Sequence, residues 1–218
     1  MRVLIYTLTR DRLEYTKRML TQLKNCGVEY DHFIFDNGST DGTMEWFNEQ
    51  EHRPYTVVGS EKNMGIWYGI QYIIDYTKNF KGYDYVIKVD NDMEFPQDGW
   101  LKKMIEVYET TDMDILSPFV EGICDGKGGI EREGGKKVGD YSVGYVTHVG
   151  GAALLTTPDF YYETLPTDRP KASGWDTWFC HGLRCGIVEE IKVKHDTILQ
   201  EKTMPDYYKR KVEESKCQ

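Results

Sequence analysis

The chain has 218 residues, 39% hydrophobic and 29% charged, with 36 acidic side chains against 27 basic ones and a formal net charge of -9. That length suits one globular core, no apolar run approaches the roughly 18 residues of a bilayer span, and the acidic balance excludes a broad electrostatic face for nucleic acid. The five cysteines, Cys26, Cys124, Cys180, Cys185 and Cys217, are odd in number and lack C-x-x-C spacing, which excludes a disulfide framework and a cysteine-rich zinc site and predicts reduced thiols in a cytoplasm.

Met1 to Leu8 runs into Arg10, Asp11 and Arg12 without a small-residue cleavage site, so no signal peptide is expected. Val3 to Leu8 is a short β-branched run and predicts the first strand. Asp11 with Glu14 three residues on predicts a capped helix, Leu13, Met19, Leu20 and Leu23 its apolar stripe, and Gly27 its end. His32 to Phe35 predicts a second strand ending at Asp36. The turn formers from Asp36 to Thr43 lead to a short helix over Met44 to Glu49, and Tyr55 to Val58 predicts a third strand. A helix follows Asn63-Met64-Gly65 over Ile66 to Tyr76, and Tyr83 to Val89 is a nearly continuous apolar fourth strand.

Beyond it lie a helix from Asp98 to Glu109 and a strand from Ile115 to Val120. Gly122 to Gly139 holds seven glycines without a hydrophobic period and predicts a loop or hairpin, read here as a lid over donor or acceptor. Next come a strand over Ser142 to Val149, the Gly150-Gly151 turn, helices over Pro158 to Glu163 and Trp175 to Arg184, a strand from Ile187 to Val193 and a tail over 201–218. The basic groups around Lys127 to Lys137 and Lys209 to Lys211 read as solvated surface. Alternating strands and helices predict a single α/β domain with a mostly parallel sheet and helices on both faces.

Ligands of such sheets bind beyond the carboxyl ends of the strands. Asp36, Asp90-Asn91-Asp92 and His195-Asp196 all follow strands. Asp90 and Asp92 are two apart, project to one side of an extended chain, and suit a hard cation such as Mg²⁺ or Mn²⁺ that bridges the two phosphates of a nucleotide diphosphate. Asp112-Met113-Asp114 has the same spacing but precedes a strand, on the wrong rim.

Phe35-Asp36-Asn37-Gly38-Ser39-Thr40-Asp41-Gly42-Thr43 resembles the V-D-D-G-S-T-D-G-T signature of family 2 glycosyltransferases. Asn63-x-Gly65, Val89-Asp90-Asn91-Asp92, Gly150-Gly151-Ala152 and Gly174-Trp175-Asp176 follow in that family's order. The resemblance implies a GT-A fold, a Rossmann-like domain whose nucleotide-binding half is 1–92 and whose acceptor half is 93–200. It implies a nucleotide-diphosphate sugar donor, of UDP type, and inversion at the sugar. Asp36 would accept from the imide of the base, Thr7, Asn63 and Asn91 would help to line the nucleotide site, and Asp90 would lie near the ribose. Asp92 would be the main metal ligand, for Mn²⁺ or Mg²⁺, with His195 as the second. Asp176 would be the general base on the acceptor hydroxyl, beside Gly151, Trp175 and Trp178 on the acceptor side.

The pattern also departs from the family. The arginine expected after Asn63-Met64-Gly65 is replaced within Ile66-Trp67-Tyr68-Gly69-Ile70-Gln71, Trp175 stands for the acid before the presumed base, and Leu154-Leu155-Thr156-Thr157 replaces a basic pair after Gly151. Neither a dinucleotide nor a P-loop fingerprint is present. A sugar nucleotidylyltransferase and a non-catalytic nucleotide-sugar or glycan-binding module are the alternatives. The acceptor, whether a glycan, a protein or a modified nucleic-acid base, is left open by the residues.

Overall fold

The computed structural model describes residues 1–51, 54–77, 82–121, 132–160 and 175–195. In chain order these form β1 (Val3–Thr9), α1 (Leu13–Leu23), β2 (Tyr30–Asp36), α2 (Thr43–Glu49), β3 (Tyr55–Gly59), α3 (Ile66–Thr77), β4 (Tyr85–Val89), β5 (Met93–Glu94) and α4 (Trp100–Glu109). There follow β6 (Ile115–Glu121), β7 (Gly134–Val138), β8 (Tyr141–Val146), β9 (Ala153–Thr156), a short α5 (Trp175–Phe179) and the long β10 (Cys185–His195).

One sheet carries all the strands, in the order β3-β2-β1-β4-β9-β6-β10-β8-β7, with β5 set against the far end of β10. The half formed by β3, β2, β1 and β4 is parallel, as expected from the strand–helix alternation. The other half is not. β9 runs antiparallel between β4 and β6, β8 is antiparallel to β10, and β7 to β8. The sheet is therefore mixed, which corrects the mostly parallel expectation. A parallel pair needs a crossover of a dozen or more residues, whereas antiparallel neighbours need only a tight turn. The chain supplies such a turn at Gly139-Asp140, which leaves Val138 opposite Tyr141.

Burial explains the elements. β1 is buried at nearly every position and β4 is apolar except for Lys88, the pattern of strands covered from both sides. α1 turns Thr16, Met19, Leu20 and Leu23 inward, the spacing of one helical face. Its start differs from the expected capping box. Arg12 is the N-cap, in left-handed geometry and with no side-chain cap, and the free Leu13 N–H is met from across the chain by Asp41 Oδ2 at 2.9 Å. Asp11 is spent elsewhere, as described below.

Other boundaries move for local reasons. α5 stops at Phe179 rather than Arg184, since Gly182 turns the chain at φ 78°. β8 ends at Val146 rather than Val149. Of the glycine-rich segment, 134–138 is a hairpin strand, and 122–131 lies outside the described residues. So do 161–174, the tail and Asp196, and the expected helix at Pro158 falls only partly within them. Among the described residues no helix is long and apolar enough to cross a membrane.

Candidate active site

The site grows from the loops that leave the carboxyl ends of β1, β2 and β4, at the rim where the parallel strands finish together. Asp36 closes β2 and is fully buried. Its Oδ1 accepts from the Ser39 N–H at 2.9 Å and its Oδ2 from the Ser39 hydroxyl. Burial pushes its carboxyl up from the ordinary range, against the pull of those Ser39 hydrogen bonds. The next residue, Asn37, accepts from the Met64 N–H at 2.7 Å and so fastens this turn to the start of α3. Gly38 has φ 74°, and a Cβ there would strike the Lys62–Asn63 backbone, so only glycine fits.

The β1 loop is tied to the same turn. Asp11 and Arg12 both take positive φ, 58° and 63°, a strain of about 1–3 kcal/mol each that surrounding contacts must hold. Those contacts are present: the Asp11 N–H donates to Ser39 Oγ at 2.7 Å, and the Asp11 carboxylate accepts from the Thr40 N–H at 2.7 Å. The consequence is the position of Arg12, whose Nη1 donates to Asp92 Oδ2 at 2.5 Å.

The turn after β4 supplies the acids. Asp92 is 1% exposed and His195, at the end of β10, brings Nε2 to 3.5 Å from the same Oδ2. Asp90 is partly exposed. One donor atom from each of Asp90, Asp92 and His195 lies within 4.8 Å of the others, and two carboxylates with an imidazole suit an oxygen-seeking divalent ion such as Mn²⁺ or Mg²⁺. β5 achieves this by pairing Met93 with His195, which pins the end of the last strand against the β4 turn. These groups line a cavity of about 230 Å³ together with Thr9, Arg10, Asn37 and Ile66. A larger cavity, about 650 Å³, lies elsewhere, among Met113, Tyr145, His148, His181 and Cys185.

Lys88 joins this cluster to α5. It projects inward from the apolar β4, 1% exposed, and its ammonium donates both to Asp90 and to the Gly151 carbonyl, 5.2 Å from the centre of the Trp175 ring. The Gly151 N–H in turn donates to Asp176 Oδ2 at 3.0 Å, while Asp176 Oδ1 takes the Thr177 N–H at 2.9 Å. Asp36, Asp90, Asp92 and Asp176 are thus linked through short contacts along one rim.

A model of glycosyl transferase family 2 matches residues 3–191 of this sequence. The chain belongs to that family. No curated protein matches this sequence, but its fold recurs in solved structures. The mannosyltransferase PcManGT from Pyrobaculum calidifontis, in complex with GDP-Man and Mn2+, superposes with a TM-score of 0.63 at 12% identity, over 89% of this chain and 56% of that one. GalNAc-T7 with UDP, GalNAc and Mn2+ gives 0.66 at 11%, over 89% and 44%. TarS of S. aureus with UDP-GlcNAc gives 0.63 at 14%, over 89% and 58%. The chain spans about half the length of these relatives, and at such identities the likeness concerns the fold, which is the GT-A arrangement.

The expected site residues do not all meet at the rim. Asp36, Asp90, Asp92, Asp176, His195 and Gly151 gather at the rim. Asn63 stands in the loop before α3 and accepts from the Gly65 N–H at 2.9 Å. Thr7 and Asn91 are turned into the protein: Thr7 is buried with its hydroxyl 3.0 Å from His32 Nε2, and Asn91 donates to Thr9 and Thr16 at 3.0 Å each. Thr9, two residues on, reaches the cavity instead. Trp175 is buried, its ring against Gly151, where a Cβ would fall 2.6 Å from Cζ2, so it packs and faces Lys88 rather than offering a surface for stacking. The Trp178 side chain lies outside the described parts.

Sequence reasoning missed Arg10, Arg12 and Lys88. The signal was present for each, as charges directly after the first strand and a lone lysine inside an apolar one. The second D-x-D is accounted for as well: Asp112 and Asp114 bind Arg184 at 3.1 and 2.7 Å, at the opposite end of β6.

Proposed function

We propose that this glycosyltransferase takes its sugar from a UDP-type nucleotide-diphosphate donor, with a divalent ion, and passes it with inversion to an acceptor hydroxyl. The observation that carries the reading is the convergence of Asp90, Asp92 and His195 donor atoms within 4.8 Å, in a cavity edged by the Asp36–Asn37 turn. The Mn2+ and nucleotide-sugar ligands named for the fold relatives support the same chemistry.

In this reading Asp36 receives a hydrogen bond from the base, Asp90 lies toward the ribose, and Asp92 with His195 holds Mn²⁺ or Mg²⁺. The ion's contribution is to stabilise the charge that builds on the departing diphosphate. Asp176 is the general base. Each of its oxygens spends one lone pair on a backbone N–H and keeps another, so the carboxylate is held in orientation and still able to accept a proton. The acceptor oxygen forms its bond to the anomeric carbon as its proton passes to Asp176. The bond from that carbon to the phosphate oxygen breaks, and its electron pair leaves with the nucleotide diphosphate.

Thermal unfolding with UDP, GDP and their sugars, each with and without Mn²⁺, tests the donor reading. A midpoint raised only when nucleotide and Mn²⁺ are both present, and not in Asp92→Asn, is the expected result. No shift with any nucleotide would remove it.

A further inference from the structure

The charge balance of the cavity bears on how an ion enters it. Both carboxylates of the Asp90, Asp92 and His195 cluster already have cationic partners within the protein: Arg12 holds Asp92 at 2.5 Å, with 12% of the Arg12 side chain exposed, and the buried Lys88 holds Asp90. Arg10 lines the same cavity. Each carboxylate therefore has a cation beside it, and an incoming divalent ion meets acids whose charge is already matched. For a bare ion, like-charge repulsion at these distances opposes the gain from ligation. A nucleotide diphosphate changes the sign, since it brings negative charge both to the ion and to the guanidinium.

The sequence points the same way. The arginine expected in this family after Asn63-Met64-Gly65 is missing, and the arginines that line the cavity stand on the β1 loop instead. Arg10 and Arg12 are cavity-lining arginines, and the β1 loop is held in its left-handed turn by Ser39 and Thr40, independently of Asp92. The loop thus keeps its shape when the guanidinium changes partner.

We propose that Arg12 exchanges anions: it pairs with Asp92, and yields that carboxylate to the divalent ion in return for the donor's diphosphate. Ion and nucleotide then enter together, and the ion alone binds weakly. The proposal rests on the donor-site reading above and gives Arg12 a role in which its two effects have opposite signs.

Calorimetry on the full chain tests it, with Mn²⁺ alone and with UDP in the presence of Mn²⁺, for the wild type, Arg12→Gln and Arg12→Lys. Arg12→Gln is expected to bind Mn²⁺ alone about tenfold more tightly, because a competing charge is gone, and to bind UDP with Mn²⁺ about tenfold more weakly. Arg12→Lys keeps the charge but not the fork, so its affinity for Mn²⁺ alone stays within about twofold of the wild type while UDP is weakened. Unchanged or weaker Mn²⁺ binding in Arg12→Gln would overturn the exchange, as would tenfold tighter Mn²⁺ binding in Arg12→Lys or unaltered UDP binding in both variants. If the wild type binds no UDP with Mn²⁺, the donor reading and the diphosphate half of the proposal fail together. The Mn²⁺ titrations would still decide whether Arg12 competes for Asp92.

Discussion

The backbone N–H of Gly151 donates to Asp176 Oδ2 at 3.0 Å, and the carbonyl of the same residue accepts from Lys88. One glycine therefore connects the proposed base to the ammonium beneath Asp90. Removing the base while keeping the Gly151 contact isolates the chemistry: Asp176→Asn still accepts from the Gly151 N–H through its amide oxygen and gives up only the Thr177 N–H bond. We expect its turnover to fall by about 10²–10⁴-fold with UDP affinity little changed, measured by a transfer assay beside calorimetry. Wild-type turnover would remove the base assignment.

Gly151 itself is held by Trp175. A Cβ at this position would lie 2.6 Å from Cζ2 and 2.9 Å from Nε1 of the indole, so Gly151→Ala must displace the ring and α5 with it. A stability loss of about 1–3 kcal/mol is expected from such overpacking. Adding Trp175→Phe should recover part of it, a coupling that a double-mutant cycle reads directly. Purely additive losses would show that the two residues do not press on each other.

Lys88→Met leaves Asp90 without its ammonium and the Gly151 carbonyl without its donor. Removing one partner of a buried ion pair costs about 3–5 kcal/mol; because Asp90 is 29% exposed, the lower end is expected. For a chain of this size that is a drop of roughly 6–12 °C in Tm. A midpoint within a degree of wild type would show that the pair contributes nothing to the fold.

Asp36 couples stability to binding with opposite signs. Its folded pKa is raised by burial, so its contribution to stability is present below the unfolded pKa and lost as pH rises through the folded one. Ionised Asp36 is thus a cost at neutral pH. Asp36→Asn is expected to be at least as stable as wild type at pH 7, with the two converging in acid, while UDP binding weakens. A variant less stable at pH 7 than at pH 4, relative to wild type, would contradict the sign.

His32 sets an acid limb. Burial lowers its pKa to about 3, against an ordinary value of about 6.5, so between these limits the unfolded chain binds more protons. Its stabilising contribution is complete above the upper value and is lost as pH falls, at up to about 1.4 kcal/mol per pH unit. His32→Gln, which keeps a polar partner for Thr7, should flatten urea-unfolding midpoints between pH 6.5 and 4. Parallel curves for the two proteins would refute it.

The sequence by itself determined the local and the periodic. Apolar runs named the strands β1, β2, β4 and β6, because a covered strand must be apolar wherever it lies, and the turn residues from Asp36 to Thr43 declared a sharp loop whatever surrounds it. Strand ends also located Asp36, Asp90, Asp92 and His195, since parallel strands finish at one rim. Only the tertiary structure decided pairings between distant segments. The insertion of β9 between β4 and β6 makes the sheet mixed, and no residue of Ala153–Thr156 announces its neighbours. The same holds for the partners of charge: Arg12 on Asp92, Lys88 under Asp90, and Thr7 turned to His32 while Thr9 reaches the cavity. A side chain's type limits what it can bond, but its partner is fixed by which loops the sheet brings within a few ångströms of one another.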